Sequence, residues 1–423
     1  MPFKDHGRQY DLVLFGATGY SGKMAAEYIT SNFPTNLKWA IAGRSETKLQ
    51  AVIDECKVLN PDRSPPVIEI LDASDEEKLT DLVKKSFAII TTVGPYCLYG
   101  EPVVKSCAES GTHYLDITGE IPWVYHMIKK YDMTAKRSGA IIIPQAGLES
   151  AAADLCTWAL AKCIRKELAA KTRDVTLSLH TFRAAPSGGT LNTLLATFEH
   201  FRLQDFRDAN EPFAFSPILH PAEPKRHPKS ISQIIFGSHH APGLGMVSTS
   251  IIGGTDQTQV ERSWGLLSLI PSRKHEFYGP KFHFAEYRKV RNWLDGIFIH
   301  WGLFLAVALL FLVKPLRNLV RKHASQPGAG PPKEDAEKEE VEFRGIANPD
   351  TDEPVDKQAY CRAWFNGSIY LLTAIYAVEG ALMLLEEEVD LPGGLLTPAC
   401  LGQRYIDRLQ EAGFHMEVRL QDR

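Results

Sequence analysis

What the sequence lacks narrows the field first. Its seven cysteines are odd in number and none stands in a C-x-x-C pair, so neither a disulfide framework nor a zinc site is expected, and the thiols read as reduced ones in a cytosolic setting. No surplus of positive charge is present either: 47 Lys and Arg against 51 Asp and Glu leave a net charge of −4. Without a basic face, nucleic acid is not an expected partner. The opening residues, M-P-F-K-D-H-G-R, hold no apolar run, so no secretory leader is expected. No internal repeat is visible. What remains, 423 residues of which 44% are hydrophobic, suffices for two or more domains with sizeable cores.

The stretch from Tyr10 to Gly22, Y-D-L-V-L-F-G-A-T-G-Y-S-G, is the most informative that is present. Four apolar residues, Leu12 to Phe15, read as a short buried strand; they run into Gly16, Gly19 and Gly22, and Lys23 to Ile29 opens a helix. Strand, glycine turn and helix start describe a phosphate cradle. Gly16 serves the tight turn, Gly19 the close approach of a pyrophosphate and Gly22 the packing of helix on strand, with Thr18, Tyr20 and Ser21 lining the cradle and the helix N-terminus offering N–H donors.

A second apolar strand, Leu37 to Ala42, follows at the distance of a right-handed βαβ crossover and ends in Gly43-Arg44-Ser45, with Lys48 just beyond. No carboxylate stands there to hold a ribose 2′-hydroxyl. Arg44 with Ser45 and Lys48 matches a 2′-phosphate, which points to NADP(H); the alternative is a solvated basic helix start. The third strand, Val67 to Leu71, ends at Asp72, a residue for the adenine edge or for a helix cap. The fourth, Phe87 to Thr92, ends in the stiff turn Val93-Gly94-Pro95-Tyr96, expected beside the ribose or nicotinamide.

The glycine turn, A-G-R at Ala42 to Arg44, V-G-P-Y at Val93 to Tyr96 and G-T-H-Y-L-D-I-T-G-E at Gly111 to Glu120 together resemble the saccharopine dehydrogenase-like oxidoreductases, a group that includes trans-acting enoyl reductases. S-G-G-T at Ser187 to Thr190 and G-G-L-L-T-P at Gly393 to Pro398 carry the likeness into the second half. The resemblance departs at one place. Where the family often shows G-F-D-S-x-P-x-D, this chain has Gly147-Leu148-Glu149-Ser150-Ala151-Ala152-Ala153-Asp154, a change that bears on the domain junction or the floor of the active site.

On the fifth strand and its exit loop, His113, Tyr114, Asp116 and Glu120 are expected near the cofactor crevice. Tyr96 and Asp116 are the candidate catalytic residues, suited to orienting a carbonyl or donating a proton after hydride transfer; the plainer reading makes this group turn formers and half-buried strand positions. Tyr125 and Lys129 satisfy the Y-x-x-x-K spacing of short-chain dehydrogenases. They stand too near Gly16 for the elements such enzymes need in between, so Trp123 to Lys136 reads as an amphipathic helix with Tyr125 inward.

Beyond a sixth strand, Ala140 to Pro144, the pattern changes: Ala151 to Leu168 reads as a long helix, and Asp174 to Phe182, Gly245 to Ile252 and Phe282 to Tyr287 alternate as half-buried strands do. The uncharged run Gly296 to Val313 spans eighteen residues, the lower limit for crossing a bilayer, with Arg288, Lys289 and Arg291 before it and Lys314, Arg317, Arg321 and Lys322 after it. Positive charge on both sides fits a segment that lies in an interface or enters a lipid surface and returns; a buried helix between domains or subunits is the alternative. From Ala324 to Asp356, Pro, Gly, Glu, Asp and Lys dominate and disorder is expected, after which Ala359 to Glu388 reads as helical and Phe414 to Leu420 as a last strand.

The expected fold is α/β: a Rossmann-type doubly wound parallel sheet in residues 1–150 and an α+β substrate or dimerisation domain with a mainly antiparallel sheet in 151–292. A hydrophobic membrane- or lipid-droplet-associated segment follows in 293–322, then a disordered linker in 323–357, and C-terminal helices and a strand in 358–423 that pack back on the first two domains. The expected function is delivery of hydride from NADPH to an enoyl or related unsaturated bond of an apolar or carrier-bound substrate, in the cytoplasm against a membrane or lipid droplet. No metal is expected, and a homodimer is left open. Two alternatives stand beside this: a saccharopine-type amino-acid dehydrogenase, for whose substrate carboxylates Arg183 and Arg262 are candidates, and a membrane-associated nucleotide-binding protein without turnover. Replacing Arg44 by Asp is expected to weaken NADPH binding far more than NADH binding, by about 1 to 3 kcal/mol. Fluorescence titration checks this, and equal losses for both cofactors would remove the 2′-phosphate assignment.

Overall fold

The computed structural model describes residues 3–221, 231–323 and 328–423. Its first sheet grows around β1 (Tyr10–Phe15), which is apolar at most positions because both faces are covered: Leu12 and Leu14 enter one core, Val13 and Phe15 another. β2 (Trp39–Gly43), β3 (Val67–Ile70), β4 (Ser86–Thr91), β5 (His113–Asp116) and β6 (Ile141–Ile143) join it in the order β6-β5-β4-β1-β2-β3, all parallel. Leu14 lies opposite Ile41 on one side and Ile90 on the other. The strand order reverses between β1 and β4, which opens a crevice at their C-terminal ends.

The second sheet is built from β7 (Lys171–Arg183), β8 (His239–Ala241), β9 (Gly245–Thr249), β10 (His283–Lys289), β11 (Glu340–Asp350) and β12 (Lys357–Asn366). The C-terminal region then returns β13 (Gly394–Leu395) to the first sheet, parallel to β6, and β14 (His415–Asp422) to the edge of the second. The second sheet runs β14-β12-β11-β7-β10-β9-β8 and is antiparallel except between β7 and β10. The expected α/β class, with a parallel sheet followed by a mainly antiparallel one, is what the chain adopts.

Two long helices lock the sheets together. Leu148–Leu168 leaves the exit of β6 and runs against β7, β11 and β12, buried for most of its length. Ile369–Glu386 lies on β4 and β5 beside the helix Tyr20–Asn32, and its nearly uniform apolarity is that of an interior helix. Polar ties finish its far end: Tyr28 donates to Glu379 at 2.7 Å, and Arg408 reaches Glu379 at 2.9 Å and Glu386 at 2.8 Å.

The sequence expectation of disorder over 323–357 is corrected here; residues 324–327 lie outside the described ones. Within this stretch β11 sits at the centre of the second sheet, between β7 and β12. Its sequence alternates: Val341 and Phe343 face the core, while Glu340, Glu342 and Arg344 face outward, where Glu340 pairs with Arg183 and Glu342 with Arg344 and Arg362. The adjoining K-E-D-A-E-K-E-E run hides this period in any average over composition. The helix expected from Ala359 to Glu388 also divides. Lys357–Asn366 is a strand, Gly367 turns the chain at φ +124°, and Ser368 caps the helix by accepting from the Leu371 amide at 3.4 Å.

Phe343 is 1% exposed and lies opposite Ala363 and Leu179. Its replacement by Ala is expected to cost about 3 to 5 kcal/mol in urea unfolding, whereas a dispensable linker position would change stability by less than about 0.5 kcal/mol.

Candidate active site and cofactor cradle

Gly16 turns the chain out of β1 at φ +98°, a conformation glycine alone adopts freely. A Cβ there would stand 2.8 Å from both Thr92 Oγ1 and Val93 Cγ2, so the missing side chain lets the exits of β1 and β4 meet. A Cβ on Gly22 would run into the Gly16 carbonyl and come within 2.8 Å of Thr92 Oγ1. Thr92 closes this corner by donating to the Gly16 carbonyl at 3.0 Å. Gly19 caps the helix Tyr20–Asn32 with no side-chain acceptor, and the first-turn N–H groups of Tyr20, Ser21 and Gly22 lie at the positive end of the helix dipole. Thr18, Gly19, Tyr20 and Ser21 are half-buried around it. This corner fits a pyrophosphate.

At the exits of β2 and β3, Arg44 reaches Asp72 at 3.7 Å and is itself 76% exposed in its side chain. Ser45 caps the helix Glu46–Leu59 by accepting from the Lys48 amide at 3.5 Å, and the Lys48 side chain is exposed. Of the two roles expected for Asp72, the cap belongs to Asp75, which accepts from the Lys78 amide at 3.2 Å. Asp72 instead accepts from the Ser74 hydroxyl and amide at 2.7 and 2.9 Å, bonds that lower its pKa, with Arg44 adding to them. Two cations thus stand open to solvent where a 2′-phosphate would lie.

The Val93-Gly94-Pro95 turn is covered from the second half of the chain. A Cβ on Gly94 would stand 3.0 Å from Thr193 Oγ1, on the helix Gly188–His200. Ser187 caps that helix, accepting from the Thr190 amide at 3.2 Å, and donates its own amide to the Tyr370 hydroxyl at 2.5 Å. A strap formed by Gly328 to Pro331 crosses the glycine turn. Tyr20 donates its hydroxyl to the Pro331 carbonyl at 2.9 Å, Gly188 its amide to the Ala329 carbonyl at 3.1 Å, and Gly330 lies against the Tyr20 ring.

Tyr96 and Asp116 were expected at the chemistry; the structure buries both side chains and gives each a partner within the protein. Tyr96 donates its hydroxyl to the Thr91 carbonyl at 2.9 Å. Asp116 accepts from the Tyr114 hydroxyl at 2.7 Å and from the amides of Gln145 and Thr118 at 2.9 and 3.0 Å, tying the exit of β5 to that of β6. Burial pushes its carboxyl up to about 6. Glu120 is likewise buried and raised to about 6, its oxygens accepting from the Tyr96 and Cys97 amides at 2.6 and 2.8 Å, so it pins the V-G-P-Y turn. His113 accepts from the Ile141 amide at 3.1 Å, and burial lowers it to about 4. A carboxylate or phenol at the end of a covered strand must find donors or acceptors below the surface, and these have. Lys129 stands 3.9 Å over the Tyr125 ring rather than beside its hydroxyl.

The carboxyl groups left over converge from both domains. Glu149, at the start of the helix after β6, keeps accessible surface although protein surrounds it, the condition of a side chain in an internal crevice. Its Oε2 lies against Gly119 of the β5 exit loop, and burial raises its pKa. Asp256, in the first turn of the helix Gly253–Leu269, is fully buried and neither oxygen meets a donor among the described residues. Burial first, then neighbouring Glu286, keep it protonated well above the usual carboxylate range, with Glu149 and Asp154 adding to the effect. Glu286, on β10, accepts from the Ser250 hydroxyl at 2.7 Å. Asp154 accepts from the Ser263 hydroxyl at 2.5 Å and the Ala399 amide at 2.8 Å, and burial raises it to about 7. Gln145 holds φ +59°, and its buried carboxamide has no partner among the described residues. No His, Cys, Asp and Glu grouping able to hold a metal occurs among the described residues.

Arg262 is spent on structure, donating to the Leu395 carbonyl at 3.0 Å, the Phe215 carbonyl at 2.6 Å and Asp132 at 3.1 Å; Arg183 is exposed and pairs with Glu340 at 3.1 Å. Arg262 is therefore not left for a substrate carboxylate, and Arg183 stands in a surface pair. Motif reading treated Glu149 only as a departure and gave no sign of Asp256, Glu286 or Gln145. An acid directly after a parallel strand was a usable signal; the Asp256–Glu286 pairing was not, because 30 residues and a second sheet separate the two.

Residues 12–143 match the family model of the saccharopine dehydrogenase NADP binding domain. The chain is 28% identical to a trans-acting enoyl reductase of Mycobacterium ulcerans, over 96% of this chain and 97% of that one. It is also 28% identical to a saccharopine dehydrogenase-like oxidoreductase of Bos taurus, over 97% of each. Among solved structures it is similar in fold to the apo saccharopine dehydrogenase (L-Glu forming) of Saccharomyces cerevisiae, with a TM-score of 0.55 over 97% of this chain and 99% of that one at 10% identity. These likenesses uphold the family resemblance read from the motifs and the expectation of NADP(H).

The raised carboxyls set the response to pH. Asp154, at about 7 in the folded chain, would titrate near 4 when unfolded, so the native state binds the extra proton and stability falls as pH rises through 7. The histidines lowered by burial, His113 and His180, work the other way: near pH 6.5 they are about half protonated when unfolded and neutral when folded, an opposition that fades by about pH 8. Relative to wild type, Asp154→Asn is expected to gain melting temperature as pH rises from about 6 to 8, since the histidine contribution is common to both proteins; a difference that does not change with pH would contradict the assignment.

Proposed function

We propose that this chain, an NADP-dependent oxidoreductase of the saccharopine dehydrogenase-like kind, reduces a carbon–carbon double bond conjugated to a carbonyl in an apolar, lipid- or polyketide-like substrate, free or carrier-bound. One observation carries the reading. The crevice gathers carboxyl groups from both domains, Glu149, Asp256 and Glu286, while Arg183 and Arg262, the arginines available for an amino-acid substrate, are engaged elsewhere. A substrate rich in carboxylates would meet acids there in place of cations and would lose its hydration with nothing to offset it, whereas an enoyl compound carries no charge at its reacting end and needs one proton.

NADPH, when bound, supplies the hydride. The turn from Gly16 to Gly22 and the helix start after it hold the pyrophosphate, and Arg44 and Lys48 take the 2′-phosphate. The Val93-Gly94-Pro95 turn, braced by Glu120 from below and Thr193 from above, sets the floor on which the substrate lies. Glu149, whose pKa is raised by the protein around it, gives its proton to the carbon next to the carbonyl as the far carbon of the double bond is reduced. One hydride and one proton account for the two hydrogens gained. Glu149 is left as a carboxylate, with the Asp256–Glu286 pair as a proton reserve within electrostatic reach. In this reading the enzyme is cytoplasmic and rests on a membrane or lipid-droplet surface through Trp293–Leu312.

Oxidation of NADPH should be seen with enoyl thioesters and not with the precursors of saccharopine. Glu149→Gln is expected to lower kcat by roughly 10²- to 10³-fold with NADPH affinity unchanged. Turnover of the saccharopine precursors alone would overturn the proposal.

A further inference from the structure

Contacts from both halves of the chain close a ring across the cofactor crevice, with the glycine turn from Gly16 to Tyr20 as its floor. The Tyr20 hydroxyl donates to the Pro331 carbonyl at 2.9 Å, and the strap carries the ring on to Ala329, whose carbonyl accepts from the Gly188 amide at 3.1 Å. The first turns of the helix Gly188–His200 then lead to Thr193, whose Oγ1 stands 3.0 Å from the place of a Cβ on Gly94. Two residues back along the chain, Thr92 donates to the Gly16 carbonyl at 3.0 Å and returns the ring to its floor.

The links differ in strength. On the side of the helix Gly188–His200 they are buried and braced: Ser187 is 4% and Tyr370 8% exposed. The Tyr370 hydroxyl accepts from the Ser187 amide at 2.5 Å and pairs with the Thr190 hydroxyl at 3.3 Å, while Glu339 accepts from the Ala185 and Ile369 amides at 3.2 and 3.0 Å. The strap is held more lightly. Gly328 and Ala329 are exposed, and the ties are two hydrogen bonds between neutral groups and the contact of Gly330 with Tyr20, where a Cβ would come within 2.5 Å of three ring carbons. Bonds of this kind contribute little net stability, so the strap is the part of the ring that opens at least cost.

Its composition suits closing as well. Gly328, at φ +91°, and Gly330 let the backbone come down onto Thr18 and Tyr20, and Pro331 and Pro332 stiffen the far end. A dinucleotide laid across the strand ends, with its 2′-phosphate at Arg44 and its nicotinamide at the Val93-Gly94-Pro95 turn, passes over the glycine turn, which is the floor of this ring.

We propose that bound NADP(H) lies through the ring and that the strap Gly328 to Pro331 is a clasp, which opens by parting the Tyr20–Pro331 and Gly188–Ala329 bonds each time the dinucleotide enters or leaves. The strap carries no charged side chain. It sets the rates of exchange in both directions and leaves the affinity to the glycine turn, Arg44 and Lys48. This rests on the cofactor and not on the identity of the substrate.

Full-length protein is mixed with NADPH in a stopped-flow fluorimeter, and bound NADPH is then displaced by excess NADP⁺. In wild type the observed rate of capture is expected to level off as NADPH is raised, at the rate at which the strap opens. Gly330→Val pushes the strap off the Tyr20 ring, and Tyr20→Phe removes the hydroxyl of one tie. Each is expected to raise that plateau and the rate of release by roughly 3- to 10-fold, with the dissociation constant changed by less than about twofold. Capture that rises linearly with NADPH in wild type, or rates unchanged in both variants, overturns the clasp. A dissociation constant that weakens while capture stays the same makes the strap an ordinary cofactor contact, and one that tightens makes it a competitor for the phosphate site; either result also overturns it. No substrate enters these measurements, so a failure to reduce enoyl thioesters bears on the reductase proposal alone.

Discussion

The contact of Gly22 with the Gly16 carbonyl, under the hydroxyl of Thr92, is the constraint on which the rest of this structure depends. It brings the exits of β1 and β4 and the start of the helix Tyr20–Asn32 to one point, and that point is the reversal of strand order in the first sheet. A side chain at either glycine would push helix from strand and scatter the free N–H groups that make the corner attractive to a phosphate. Everything assigned to the cofactor radiates from it: Arg44 and Lys48 at the exit of β2, Asp72 at that of β3 and the Val93-Gly94-Pro95 turn at that of β4.

Around this corner the chain is assembled out of order. Residues 369–386 and 394–395 belong to the first sheet by position, covering β4 and β5 and extending the sheet beyond β6, although they follow the whole second sheet except β14 in sequence. Asp154 is one of the rivets: its buried carboxyl accepts from Ser263 and Ala399 and so binds the junction helix to a second helix and to the returning C-terminal segment. Because the halves are interleaved, Glu149 from one and Asp256 and Glu286 from the other end up near a single crevice. That shared burial is what raises the pKa of these acids.

Among the described residues, the two helices long and apolar enough to cross a membrane show how little such a test decides alone. Ile369–Glu386 lies inside, with tyrosine, glutamate and arginine tying its end to neighbours. Trp293–Leu312 lies outside, with most of its apolar side chains exposed. The two have similar composition, and packing separates them.

By itself the sequence determined the parallel sheet, its glycine turn, the basic pair at the end of β2 and the existence of an unusual apolar helix. Each is written within a dozen or so neighbouring residues, where backbone period and turn chemistry act. Tyr96 and Asp116 were legible as polar groups at strand exits, but their side-chain direction was not, and the structure spends them on Thr91, Tyr114, Thr118 and Gln145. β11 was hidden because its alternation is short and lies beside a charged run. The carboxyl crevice, the strap from Gly328 to Pro331 and the approach of Thr193 to Gly94 were decided by tertiary structure alone. They join residues tens to hundreds of positions apart, and a contact at that range follows from how sheets and helices pack rather than from any local pattern.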